Sequence, residues 1–179
     1  FDIMFTLKDV RKMLKELDEI TGFNGAGLEL KTTNTKRTLA SHVHRITRTP
    51  YGEVISRTPV RFEFSKLILS CDEETLREVV KHEYAHYMAL VEYNDNCGHD
   101  WRFKKMCEVI GASADEPTFT NNSIQEQSVK MAKYVVKCNQ CGHVYTYSRM
   151  CKILKSVQAQ DGTVRCACGC HDLTLTQNY

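Results

Sequence analysis

His82-Glu83-Tyr84-Ala85-His86 sets two imidazoles four residues apart, with a carboxylate directly after the first. On a helix, positions i and i+4 lie about one turn apart on the same face, so both rings can reach one metal ion. Glu83 then stands where hydrolysis needs a general base, beside the ion without ligating it. Val79 and Val80 before the motif, and Tyr84, Ala85, Tyr87 and Met88 within and after it, are uncharged. The helix can therefore be buried with its polar groups turned into a cavity. Without partners, the three buried polar side chains would each forfeit about 1–3 kcal/mol, which argues against a chance match.

A catalytic zinc takes three protein ligands and keeps a fourth position open. An immediate HExxHxxGxxH continuation is absent, because Ala89 and Glu92 occupy the Gly and His places. The next histidine is His99, in Cys97-Gly98-His99-Asp100-Trp101. It is preferred as third ligand to a carboxylate, of which Glu108 is the best placed, with Asp95 and Asp100 after it. Asp100 could instead orient an imidazole. A transition-state oxyanion also needs a donor. Tyr84, Tyr87, Tyr93, His42 and His44 are the candidates, and the sequence does not choose among them.

A second metal chemistry lies in the tail, where six of the nine cysteines (Cys138, Cys141, Cys151, Cys166, Cys168, Cys170) fall within the last 42 residues. Cys138-Asn139-Gln140-Cys141-Gly142 is a knuckle in which two thiolates clamp one side of a tetrahedral ion, the glycine permitting the tight turn. Cys166-Ala167-Cys168-Gly169-Cys170-His171 supplies the other side after 24 intervening residues, enough for a hairpin. Cys166 with Cys168 is preferred to Cys166 with Cys170 or Cys168 with His171, since Gly169 follows Cys168 as Gly142 follows Cys141. Cys71, Cys97, Cys107 and Cys151 read as structural or incidental. His143, His42 and His44 read as surface or hydrogen-bonded strand residues, not ligands. An odd cysteine total and no secretory signal predict a reducing, intracellular compartment, cytoplasmic or, in a eukaryote, nuclear or chromosomal.

The elements that must position these residues are legible from periodicity. Leu7, Val10, Met13, Leu14, Leu17 and Ile20 predict a helix capped by Thr6 and ending near Thr21-Gly22. From Ala26 to Leu69 the texture is that of a small sheet: SHVHRITRT, a Pro50-Tyr51-Gly52 turn, EVISRT, and PVRFEFSKLIL with Val60, Phe62 and Phe64 on one face. Val60 to Lys66 could be an edge that pairs with an extended substrate. Helical spacing returns over Ser70 to Leu90, with Leu76, Val79, Val80, Tyr87 and Leu90 as its buried stripe, and again over Trp101 to Ile110, closed by Gly111. Ser113 to Ser128 reads as a linker. Beyond it the tail is β-like, with an Asp161-Gly162 hairpin turn.

At 179 residues with 42% hydrophobic and 26% charged, the chain can bury a core, and no window reaches the roughly 18 apolar residues of a membrane span. The net charge of +2 conceals an asymmetry. Residues 129–179 carry seven Lys and Arg against two acids, and residues 31–66 carry eight against two. Both point to an anionic partner. Lys130, Lys133, Lys137, Arg149, Lys152 and Arg165 could meet phosphates, and Tyr134, Tyr145 and Tyr147 could stack on bases or fill a small core.

Residues from about 5 to 112 resemble the SprT-like family of zinc metallopeptidases. The resemblance is carried by the first helix, FEFSKLILS, CDEETLREVVKHEYAHYMAL and GHDWRFKKMCEVIGA. It implies zinc on His82, His86 and His99 with Glu83 as acid/base. It also implies association with DNA and cleavage of proteins bound or crosslinked to it. The expectation is thus an α+β chain, with a zincin-like metallopeptidase domain at 1–128, linker included, and a β zinc ribbon at 129–179 on Cys138, Cys141, Cys166 and Cys168. It would hold two Zn2+ ions, one catalytic and one structural. It would act as a monomeric endopeptidase on protein substrates, in contact with single-stranded or junction-containing DNA and not with membranes. The alternatives are a non-enzymatic zinc-containing adaptor or DNA-binding protein, and a zinc hydrolase of non-peptide substrates.

Overall fold

A computed structural model describes residues 3–115 and 121–179. The architecture is α+β, and the chain divides into two compact units, Phe1–Ile124 and Gln125–Tyr179.

In the first unit, α1 (Leu7–Thr21) starts where the Asp9 carboxylate accepts from the Thr6 backbone N–H at 2.7 Å and its hydroxyl at 3.1 Å. It stops at Gly22, whose φ of 79° a side chain would resist. Its apolar stripe, Val10, Met13, Leu14 and Leu17, is buried. β1 (Glu29–Thr33), β2 (Ala40–Arg48) and β3 (Val54–Ser65) form a sheet in the order β1-β3-β2, with β1 parallel and β2 antiparallel to β3. EVISRT and PVRFEF are therefore one strand. The register slips between Val43 and His44, leaving Val60 unpaired next to Pro59, a residue with no N–H to offer a ladder. The segment Val60 to Lys66, open between a substrate-pairing edge and an ordinary core strand, is the latter: over residues 61–64 β1 takes one side of it and β2 the other. The outer edge facing away from β1 belongs to β2.

The expected strand continuation SKLIL instead turns into α2 (Lys66–Leu69), because the Ser65 hydroxyl accepts from Leu67 N–H and caps a helical turn. α3 (Glu73–Tyr93) is capped by Asp72 and buried over most of its circumference, with the β2–β3 face on one side and α1 and α4 on others. That enclosure explains why Leu76, Val79, Val80, Tyr84, Ala85, Met88, Ala89 and Leu90 are all apolar or aromatic. α4 (Trp101–Ile110) closes at Gly111. The predicted linker is partly helix: α5 (Asn122–Met131) begins where Asn121 Oδ1 accepts from Ser123 and Ile124 N–H, while residues 116–120 lie outside the described residues.

The second unit is an antiparallel sheet of β4 (Tyr134–Cys138), β5 (Val144–Tyr147) and β6 (Leu173–Gln177), ordered β5-β4-β6. Between the cysteine pairs the chain forms α6 (Lys152–Ala159) where a hairpin was expected, and the Asp161-Gly162 turn follows that helix. Leu154 and Val157, three apart, bury one face of α6 among Tyr134, Val136 and Leu173, which outweighs the β-like texture around it. Tyr134 is core, and Tyr145 and Tyr147 pack against that core, so these rings serve packing.

Candidate metal centre and active site

α3 delivers His82 and His86 from adjacent turns, and the loop between α3 and α4 returns His99 to them. His99 Nε2 lies 3.1 Å from His86 Nε2 and 3.3 Å from His82 Nε2. Bonds of about 2.0–2.1 Å to a tetrahedral ion place neighbouring nitrogens about 3.3 Å apart, so the three donors fit one metal ion. His82 Nδ1 is 3.3 Å from the Ser113 carbonyl, a hydrogen bond that puts the proton on Nδ1 and leaves Nε2 its lone pair for the ion. Phe103, fully buried on α4, underlies all three rings, with centroids 5.0 Å from His82, 4.2 Å from His86 and 4.9 Å from His99. Neither Ser113 nor Phe103 stood out in the sequence. Phe103 is four residues after His99, in the first turn of α4, and that spacing was the available signal.

The loop is held by charge. Asp95 meets the Arg57 guanidinium at 3.4 Å and that of Arg102 at 3.1 Å, and Asp100 meets Arg102 at 2.7 Å while accepting from Arg102 and Phe103 N–H as the cap of α4. Arg102 keeps both carboxyls below their usual range. Asp100, weighed as an imidazole partner, thus serves the helix end and Arg102. Gly98, with φ of 54°, makes the turn that aims His99. Glu108 is exposed.

A cavity of about 280 Å³ opens beside the histidines, with Glu83, His86, His42, His44 and Cys97 among its lining. Glu83 is buried, and so is Cys97, which in the sequence reads as structural or incidental. Burial, and then the neighbouring His82, His99 and His42, hold His86 down to about 3. It is therefore neutral at ordinary pH, as a metal ligand must be. The tyrosines separate from the cavity. The Tyr84 hydroxyl donates to Asp18 at 2.6 Å and lies 2.9 Å from Thr21 Oγ1, Tyr87 Oη accepts from Asn24 N–H, and Tyr93 packs on Trp101 with Arg102 over its face.

In the second unit, the sulfurs of Cys138, Cys141, Cys166 and Cys168 converge, with Cys138 Sγ 3.7 Å from Cys168 Sγ and Cys141 Sγ 3.5 Å from Cys166 Sγ. Four thiolates about 2.3 Å from a tetrahedral ion would stand about 3.7–3.8 Å apart, so this group also fits a metal. Cys170 and His171 are outside it: Cys170 Sγ accepts from Asp172 N–H, and His171 Nδ1 is 3.0 Å from the Val164 carbonyl. The Tyr145 hydroxyl, 3.3 Å from Cys166 Sγ, and the Cys168 backbone N–H lower that thiol to about 6.

None of the helices among the described residues is long and apolar enough to cross a membrane. No curated protein and no solved structure matches the chain. The family profile described as SprT-like matches residues 11–126, a span that takes in most of α1, the β1–β3 sheet, the three histidines and Glu83. The chain belongs to the SprT-like family.

Proposed function

We propose that the protein is a zinc-dependent endopeptidase whose first unit is a zincin-like catalytic domain and whose tail is a zinc ribbon that holds it near DNA. The observation that carries this reading is the convergence of three Nε2 atoms beside a cavity lined by Glu83. His82, His86 and His99 would hold the catalytic ion. That ion, when bound, lowers the pKa of a coordinated water from 15.7 toward about 7 and polarises a carbonyl. Glu83 takes a proton from the attacking water and returns it to the leaving amine. An extended substrate pairs with the outer edge of β2, where backbone hydrogen bonds give affinity with little demand on sequence.

Cys138, Cys141, Cys166 and Cys168 would hold the structural zinc. Lys130, Lys137, Arg149, Lys152, Lys155 and Arg165 are exposed around that fold and suit phosphates, single-stranded DNA included. Proteins held on or crosslinked to DNA are the corresponding substrates. The three-histidine set leaves room for a reacting water, which a purely structural site does not need.

The test is cleavage of casein by the zinc-loaded protein and by Glu83→Gln, with and without single-stranded DNA. Wild type should cleave, faster with DNA, and Glu83→Gln should lose about 10² to 10⁴-fold in kcat while keeping two zinc ions per chain. Equal cleavage by the variant removes Glu83 from the mechanism, and an inactive wild type with both ions bound removes the peptidase reading.

A further inference from the structure

The two cysteine knuckles differ in length, since two residues separate Cys138 from Cys141 and one separates Cys166 from Cys168. In the longer knuckle, Cys138 Sγ accepts from two backbone N–H groups of its own turn, those of Gln140 and Cys141, and Cys141 Sγ accepts from that of His143. The shorter one repeats part of this pattern: Cys166 Sγ accepts from Cys168 N–H, and Cys168 Sγ from Cys170 N–H. The third residue after Cys166 is Gly169, and its N–H is spent on the Cys166 carbonyl at 2.8 Å, as that of Gly142 is on the Cys138 carbonyl at 3.0 Å. With one residue fewer, the turn has no third-residue N–H left for its first sulfur. The Tyr145 hydroxyl stands in that place, 3.3 Å from Cys166 Sγ. It accepts from Ala167 N–H at 3.2 Å, so its own proton is free for the sulfur, and a metal-bound thiolate can only accept. β5 carries the ring, paired through Tyr145 with Val136 of β4, and His143 lies edge-on to it at 4.5 Å.

We infer that Tyr145 is a positioning residue of the cysteine metal site: its O–H donates to the Cys166 thiolate in place of the backbone donor that the short knuckle lacks. Cys138 and Cys166 are buried, whereas Cys141 and Cys168 are exposed. Water can supply donors to the exposed pair, but a buried thiolate depends on the protein for them. Donors around a ligand fix its orientation and take up part of its charge, and the loss of one costs about 10–100-fold in metal affinity. The inference rests on the reading of the four cysteines as a zinc site.

The experiment loads the full chain with cobalt, then displaces it with zinc, in wild type, Tyr145→Phe, a chain carrying 3-fluorotyrosine at position 145, and Tyr147→Phe as a control from the same strand. Cobalt held by thiolates gives sulfur-to-metal charge-transfer bands that a histidine site lacks, so these bands report the cysteine site alone. Tyr145→Phe keeps the ring and should bind both ions about 10 to 100-fold more weakly. Its band should move to lower energy, because a sulfur without its donor gives up electrons more easily. 3-Fluorotyrosine, a stronger donor of nearly the same size, should move the band to higher energy, which a change of packing would not do. Tyr147→Phe should leave affinity and band in place. A band that stays put in either replacement of Tyr145, whatever the affinity, or that moves equally in Tyr147→Phe, overturns the role of Tyr145 alone. A wild type whose cobalt spectrum has no sulfur band overturns the zinc reading of the four cysteines and this role with it.

Discussion

The burial that keeps His42 and His86 neutral has a thermodynamic consequence at the scale of single residues. Each binds a proton less readily in the fold than at the ordinary 6.5, His42 at about 4 and His86 at about 3. Between pH 6.5 and 4 the unfolded chain therefore takes up protons that the fold refuses, and stability falls as acid is added. Above 6.5 neither form is protonated and the effect vanishes. In metal-free protein, Tm should drop through this window, and His42→Leu should flatten that drop, as thermal melts at stepped pH would register. The HExxH pair and Glu83 could be named from spacing alone because both depend on neighbours within one helical turn. That Nε2 of His42 is buried without a partner could not be read from spacing, since it comes from Phe62 and Tyr87 packing around the ring.

At the scale of elements, the α3–α4 loop matters most, because His99 reaches the other ligands only through it. Arg57 on β3 and Arg102 on α4 grip Asp95 from two sides, and Gly98 supplies a backbone angle that other residues resist. Open space surrounds a Cβ at Gly98, so Gly98→Ala should cost only the conformational term, about 1–2 kcal/mol. Arg102→Ala, which frees both Asp95 and Asp100, should weaken zinc at the histidines and leave the cysteine site untouched, as competition with a chelating dye would measure. The helices were legible wherever caps and apolar spacing agreed, as with Thr6 and Gly22 or, at the end of α4, Gly111. What the sequence misread or left open was decided by tertiary contact: α6 by the burial of Leu154 and Val157, and the choice between edge and core for β3 by the parallel arrival of β1. No local pattern announces a parallel neighbour.

For the molecule as a whole, the two units differ in what sustains them. The first buries Phe62, Phe64, Phe103, Tyr84 and a row of aliphatic side chains. The second, among the described residues, has a small core cluster of Tyr134, Val136, Leu154, Val157 and Leu173 beside the buried Cys138 and Cys166. A unit that small needs a staple, and metal binding energy becomes folding energy in such cases. Cys166→Ser should reduce bound zinc from two ions to one and erase the near-ultraviolet and amide-exchange signatures of residues 134–177, while the melt of the first unit persists. Retention of a protected β4–β6 sheet in that variant would show that the core suffices unaided.

Two of the three imidazoles are fixed on one rigid rod, and the third rides on a turn clasped by two guanidinium groups. Loading and unloading therefore differ in kind. An arriving ion would meet a preset pair and then be closed upon, whereas a departing one would wait until the turn lets go. The residence time of a bound ion should accordingly follow how often Asp95 escapes Arg57 and Arg102, and high salt, which loosens such clasps, should hasten exchange.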